Sequence, residues 1–231
     1  GGLEGRPARR NNWGYNQTLG LGYYEYFCFC EDIGAKPVPV LPGGYDPHHQ
    51  RITPMEEMQE WIDDALDLIE FANGSHSSGW GKIRAAMGHR EPFHLEYIAI
   101  GNEEVGEAFF ERYPLFHKAI KEKYPDIILM ADISNYEEGI NAWKCGVDIV
   151  GTTMSGYTAY TSSVSDGPDY ELMERLSRDI NIPVIGEGRI HYPDQAVKAL
   201  QTGAWAIVVG GAITRPLEIA MRFQNAIKES R

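Results

Sequence analysis

The apolar and polar positions along the chain repeat one pattern: an amphipathic helical segment, a glycine, then a short β-branched strand. Residues 23–33 have a helical period, Gly34 ends them, and 37–41 follow as a strand. The same order returns at 136–152 and at 194–210. A glycine just past a helix end adopts left-handed backbone at no steric cost. Helices that alternate with short buried strands predict parallel β–α units.

Six short apolar segments of this kind predict six strands. They are residues 37–41, 97–101, 127–133, 149–153, 183–187 and 206–210. A closed barrel of parallel β–α units has eight strands. The sequence therefore predicts an α/β fold of the parallel (β/α) TIM-barrel type that is missing its first two strands.

The longest predicted helix starts near Thr53 and runs to about Ala72. Thr53 and Glu56 have the spacing of a capping box, and Pro54 stands at the first helical position. Apolar residues then recur at helical spacing, which predicts one buried face.

Composition and charge narrow the class of protein. The chain has 231 residues and a net charge of −12, which argues against nucleic acid and anionic membranes as partners. No apolar run approaches the roughly 18 residues of a membrane span. The first ten residues are polar and basic, so we expect no signal peptide. The three cysteines, Cys28, Cys30 and Cys145, suit a reduced, cytoplasmic chain.

Acidic residues follow two of the predicted strands. In a parallel barrel the active site lies at the carboxyl ends of the strands, where Glu103 and Glu187 stand. Two carboxylates facing each other across a pocket could cleave a glycoside, one as acid and one as nucleophile or base. Alternatively, each Glu caps the helix that follows it. Asp132, Tyr157 and Arg189 follow strands in the same way and are candidates for binding the substrate.

A second constellation consists of glycines near the last two strands. Gly188 and the pair Gly210-Gly211 predict turns whose backbone N–H groups bind phosphate, and barrels commonly hold phosphate at this place. Arg189 or Arg215 would add charge-assisted hydrogen bonds. Alternatively, these are ordinary turn glycines.

A metal site is not expected. His48 and His49 stand beside Asp46, but adjacent residues rarely converge on one ion and no third ligand is evident. Exposed loop histidines are the simpler interpretation, and we expect neither a metal nor a cofactor.

The first half of the chain, residues 5–126, resembles the catalytic barrel of family 51 glycoside hydrolases, the α-L-arabinofuranosidases. The motifs that carry the resemblance lie at residues 6–7, 12–15, 20–26, 30–35, 80–84 and 100–103. The last of them reads Ile-Gly-Asn-Glu. The resemblance implies that Glu103 is the acid/base and that Asn102 contacts the sugar 2-hydroxyl.

The second half, residues 128–228, resembles N-acetylmannosamine-6-phosphate 2-epimerase, through motifs at residues 129–134, 148–158, 185–190 and 208–216. The resemblance implies proton chemistry for Glu187. It also implies phosphate binding by Gly188, Gly210 and Gly211, with Arg215 nearby. The lysine that this family uses for proton transfer has no recognisable match.

The two resemblances together predict a recombined chain with a seam near residue 126, whose parts 1–126 and 127–231 form one domain. Its ligand is expected to be a small sugar or sugar phosphate. Three functions follow: an arabinofuranosidase-like hydrolase with Glu103 and Glu187 as catalytic pair, a sugar-phosphate-binding barrel without turnover, or an inactive engineered or recombined scaffold. Self-association or a second fragment could complete the barrel.

Overall fold

The computed structural model describes residues 3–11, 14, 16–46, 49–104, 106–161 and 167–230. The chain divides into two compact units, Gly1–Leu129 and Met130–Arg231. Four residues of the motifs above lie outside the described residues: Asn12, Trp13, Tyr15 and His48.

The first unit contains one parallel strand pair and two small hairpins. Its strands are β1 (Arg9–Arg10), β2 (Asn16–Gln17), β3 (Val40–Leu41), β4 (Tyr45–Asp46), β5 (Arg51–Ile52) and β6 (Tyr97–Ile100). Its helices are α1 (Tyr23–Asp32), α2 (Met58–Asn73), α3 (Gly79–Ala86) and α4 (Glu107–Lys123), with 3₁₀ turns at Leu3–Gly5 and Met55–Glu57. β3 pairs with β6 in parallel, whereas β1–β2 and β4–β5 are antiparallel.

The core of the first unit contains apolar side chains from helices α2 and α4 and from strand β6. Ala65 and Ile69 of α2, Ile98 of β6, and Phe116 and Ile120 of α4 are fully buried. Their spacing on α2 and α4 is the three-to-four residue repeat that places side chains on one helix face.

The second unit continues the parallel pattern. Strand β7 (Ile128–Asp132) crosses the boundary between the units, and β8 (Ile149–Gly151), β9 (Val184–Gly186) and β10 (Ala206–Ile207) follow. The helices are α5 (Tyr136–Lys144), α6 (Tyr170–Asp179), α7 (Pro193–Gln201), α8 (Gly211–Thr214) and α9 (Pro216–Glu229). β7, β8, β9 and β10 pair in that order, all in parallel.

The predicted fold class is confirmed. Each of the six predicted strand segments contains a strand of the structure, and helices separate them. The predicted left-handed glycines after helix ends are also present. The φ values are 69° at Gly34, 90° at Gly146 and 97° at Gly203. Those values lie in the left-handed region that other residues rarely adopt.

The predicted capping box at Thr53 is wrong. Helix α2 begins at Met58, after the 3₁₀ turn Met55–Glu57, and no side-chain cap bond stands at either start. Pro54 has an extended backbone with ψ of 146°, so the chain first enters a tighter turn. The carbonyl of Thr53 instead accepts hydrogen bonds from the Arg112 guanidinium.

Candidate functional site

Two acidic side chains of the second unit meet at one threonine hydroxyl. Asp132 ends β7, Thr153 follows β8, and Glu187 follows β9. The Oγ1 atom of Thr153 lies 2.9 Å from Oδ1 of Asp132 and 3.0 Å from Oε2 of Glu187. The three strands are parallel neighbours, so their carboxyl ends reach the same edge of the sheet. All three side chains are half-buried.

A second threonine fixes the backbone that carries Glu187. The hydroxyl of Thr152 donates to the carbonyl oxygen of Glu187 at 2.8 Å and accepts its backbone N–H at 3.0 Å. Thr152 is fully buried, so these bonds are shielded from water. The main chain of Glu187 is therefore held from both sides of its α-carbon.

The turn after Glu187 has unusual backbone geometry. Gly188 has a φ of 103° and Arg189, which carries a side chain, has a φ of 58°. Such a conformation costs free energy in a non-glycine residue and is concentrated at functional sites. The Arg189 guanidinium lies 5.7 Å from the centre of the Tyr157 ring, a cation–π distance. Gly156 has a φ of 81°, in the left-handed region that favours glycine, and a Cβ there would stand 2.2 Å from Nη1 of Arg189.

The glycine pair expected to bind phosphate lies after β10. Gly211 is the first residue of the short helix α8, and the exposed Arg215 follows that helix. Arg215 Nη1 donates to Oε1 of Glu218 at 2.8 Å. The other oxygen of Glu218 is 3.3 Å from where a Cβ on Gly211 would be. A carboxylate thus lies beside the predicted phosphate turn.

In the first unit, Glu103 follows β6 and is half-buried, with a φ of 58°, while its neighbour Asn102 is exposed. The next residue, Glu104, is buried. Its carboxylate accepts the backbone N–H groups of Gly43 at 2.8 Å and Tyr45 at 3.1 Å. Burial raises the pKa of Glu104 to about 7, although these hydrogen bonds act in the opposite direction.

The structure thus brings Asp132 together with Glu187, and Arg189 together with Tyr157. It also places Gly211 near Arg215. Glu103 and Asn102 belong to the first unit. The sequence pattern assigns no role to Thr152, Thr153 or Glu104. Two consecutive threonines at the end of a predicted strand were a usable signal, because their side chains point to opposite faces.

In the part of the chain that the structure describes, the histidine beside Asp46 does not lie in a cluster of metal ligands. His49 Nδ1 lies 2.7 Å from Oδ2 of Asp46. Within the described residues, no group of three or more His, Cys, Asp and Glu side chains could hold a metal ion. In the same part of the chain, no helix is both long enough and apolar enough to cross a membrane.

Comparison with known proteins identifies relatives of both predicted kinds. Residues 108–229 match the family model described as putative N-acetylmannosamine-6-phosphate epimerase. A putative N-acetylmannosamine-6-phosphate 2-epimerase of Caldanaerobacter subterraneus subsp. tengcongensis is 42% identical over 211 residues. That alignment covers 91% of this chain and 76% of the relative.

Arabinofuranosidases match as well. An extracellular exo-α-L-arabinofuranosidase of Streptomyces chartreusis is 47% identical over 150 residues, which is 62% of this chain and 18% of that protein. The structure of an arabinose-bound family 51 α-L-arabinofuranosidase superposes with a TM-score of 0.64 at 22% identity. It covers 90% of this chain and 36% of that one, and it supports the fold alone. The chain therefore spans only a small part of its arabinofuranosidase relatives, and the predicted resemblance to two families is confirmed.

Proposed function

Because the chain belongs to the N-acetylmannosamine-6-phosphate epimerase family, we propose that its second unit binds a sugar phosphate. The observation that carries this proposal is the meeting of Asp132 and Glu187 at the hydroxyl of Thr153, at the carboxyl ends of three parallel strands. Ligands of parallel α/β folds bind at that edge.

In this proposal the site residues contact different parts of the ligand. Asp132 and Glu187 face the sugar, and Arg189 with Tyr157 covers one side of it. The backbone of Gly188, Gly210 and Gly211 binds the phosphate, and Arg215 supplies a positive charge. The structural support is the adjacency of Gly188 to Glu187 and of Gly211 to Arg215.

Binding without full epimerisation is the form of the function that the residues support best. Inversion at a carbon requires that a proton be removed from one face and returned to the other. The family resemblance implies a lysine for this proton transfer, and no lysine lies in the motifs that carry that resemblance. The carboxyl cluster of Asp132 and Glu187 would act on the bound sugar.

Titration with N-acetylmannosamine-6-phosphate tests the proposal. A ligand at about 100 times its Kd should stabilise the chain by roughly 2.7 kcal/mol, which raises the melting temperature measurably. N-acetylmannosamine, which lacks the phosphate, is the matched control ligand and should stabilise the chain far less. Equal stabilisation by both sugars, or by neither, would overturn the proposal.

A second candidate function is supported by Glu103. The left-handed φ of Glu103 at a strand end and the 47% identity with an arabinofuranosidase favour a glycosidase-like site. In this alternative Glu103 is the general acid/base. It predicts hydrolysis of an aryl α-L-arabinofuranoside that is lost in Glu103→Gln and kept in Glu122→Gln, an exposed control. An inactive wild-type chain would contradict it.

A further inference from the structure

The hydroxyl of Thr153 faces two carboxyl groups, although it has one hydrogen. It lies 2.9 Å from Asp132 and 3.0 Å from Glu187. A hydroxyl donates one hydrogen bond and accepts others through its lone pairs. If both carboxyl groups are ionised, Oγ1 donates to one and presents a lone pair to the other. If one carboxyl holds a proton, that carboxyl donates to Oγ1 while Oγ1 donates to its partner.

We infer that Thr153 is a positioning residue that aligns the carboxyl groups of Asp132 and Glu187 for the transfer of one proton between them. The alignment follows from the two contacts to a single oxygen atom. Thr152 adds to it, because its two hydrogen bonds fix the Glu187 backbone from which the carboxyl group extends.

The transfer balances without any further reactant. The O–H bond of protonated Glu187 breaks as that proton moves to Oγ1 of Thr153. The original Thr153 proton leaves Oγ1 at the same time and forms an O–H bond on Asp132. Threonine ends neutral, as it began, and the net change is one proton moved from Glu187 to Asp132.

Proton exchange between the two carboxyl groups would serve chemistry on a bound sugar. A carboxylate that removes a C–H proton must give it up before it can act again, and the second carboxyl group provides that route. This use rests on the proposed function, whereas the alignment of the two carboxyl groups does not depend on it.

The alignment is tested in the ligand-free full chain by ¹³C NMR of the carboxyl carbons, assigned with Asp132→Asn and Glu187→Gln. Thr153→Val keeps the side-chain shape without the hydroxyl, and Thr153→Ser keeps the hydroxyl. Thr202→Val removes a hydroxyl that binds the Ala199 carbonyl at the end of α7. Thr153→Val should move both resonances, and Thr153→Ser and Thr202→Val neither. Movement of one resonance or none in Thr153→Val overturns the inference.

The transfer is tested by deuterium incorporation from D₂O into bound N-acetylmannosamine-6-phosphate, which needs proton removal but not inversion. Thr153→Val should slow incorporation about ten- to hundredfold, since small displacements of reacting groups carry costs of that order. Its Kd should stay within about twofold of wild type, and Thr153→Ser should restore the rate.

Two results would contradict the transfer. Binding by wild type without deuterium incorporation excludes it. A weakened Kd with an unchanged rate in the bound complex makes Thr153 a binding residue. If wild type binds no sugar phosphate, the proposed function fails, and the carboxyl resonances still decide whether Thr153 aligns the pair.

Discussion

The carboxylate of Glu104 accepts the backbone N–H of Gly43 at 2.8 Å, which ties the turn after β6 to the turn after β3. A Cβ at Gly43 would lie 2.7 Å from Oε2 of Glu104 and 2.7 Å from the Phe109 ring. Glycine is therefore required for this approach. The same bond holds the buried carboxyl group of the residue that directly follows Glu103.

Stability should fall as the pH rises from about 4.5 to about 7, because burial raises the pKa of Glu104 from 4.5 to about 7. In this range the folded chain holds a proton that the unfolded chain has released, so protonation favours the folded state. The loss is on the order of 3 kcal/mol. Urea unfolding at several pH values measures it.

Glu104→Gln should remove this dependence, because the amide does not ionise. It should also lower stability at acidic pH, since its nitrogen cannot accept the N–H of Gly43 or Tyr45. Glu122→Gln, at an exposed position, should retain the wild-type slope. Equal slopes in wild type and Glu104→Gln would show that Glu104 titrates alike in both states.

Arg84, from the motif 80–84, is fully buried and acts as a structural clamp. Its guanidinium donates to five backbone carbonyls, those of Phe71, Ala72, Gly74, His89 and Arg90. Arg84→Lys should lower the free energy of unfolding by about 3 kcal/mol, because an ammonium group has three donors and no fork. Chemical denaturation measures this loss. Arg90→Lys, at an exposed site, should change it by less than about 0.5 kcal/mol; similar losses would contradict the clamp.

Much of the fold could be predicted because it depends on local pattern. Gly34 and the apolar face of α2 each report a constraint that lies within one segment of sequence. The buried roles of Arg84 and Glu104 depend on which distant backbone groups approach them, and charged residues are usually exposed. The failed cap at Thr53 depended on the extended backbone of Pro54, which competes with the helix start.

The site was predictable in part for the same reason. Strand-end positions identified Asp132 and Glu187 as candidates, because parallel strands end at one edge. Their meeting at Thr153 depends on the register between β7, β8 and β9, with Asp132 opposite Gly151 and Gly151 opposite Ile185. No local pattern contains that register.

The ion pair between Arg215 and Glu218 should weaken phosphate binding, because the Glu218 carboxylate neutralises the guanidinium charge that would attract phosphate. Glu218→Gln should tighten inorganic phosphate binding about two- to fivefold, the range of an exposed pair. Arg215→Gln should weaken it. Isothermal titration measures both variants, with Glu229→Gln as a remote control. Unchanged affinity in Glu218→Gln would place the phosphate elsewhere.

Helix α9, all of which the structure describes, has no buried residue. Leu217 is 74% exposed and Phe223 is 69% exposed. Apolar surface of this kind marks an association site, so the sedimentation mass of the chain should rise with concentration. Leu217→Glu with Phe223→Glu should abolish the rise, and Gln224→Glu with Asn225→Asp, which adds equal charge, should not. A wild-type mass independent of concentration would contradict this prediction.

Strand β7 bears on how β–α units of related barrels can be exchanged. The epimerase family model matches from residue 108, whereas the first unit extends to Leu129. Leu129 and Ile127 are buried, and the backbone N–H of Ile128 donates to the Glu96 carbonyl at 2.7 Å. The stretch that matches the epimerase family therefore includes residues 127–129, which pack within the first unit. An exchange of β–α units between relatives would therefore have to keep residues 127–129 compatible with the first unit, and a library of crossovers should vary these residues first.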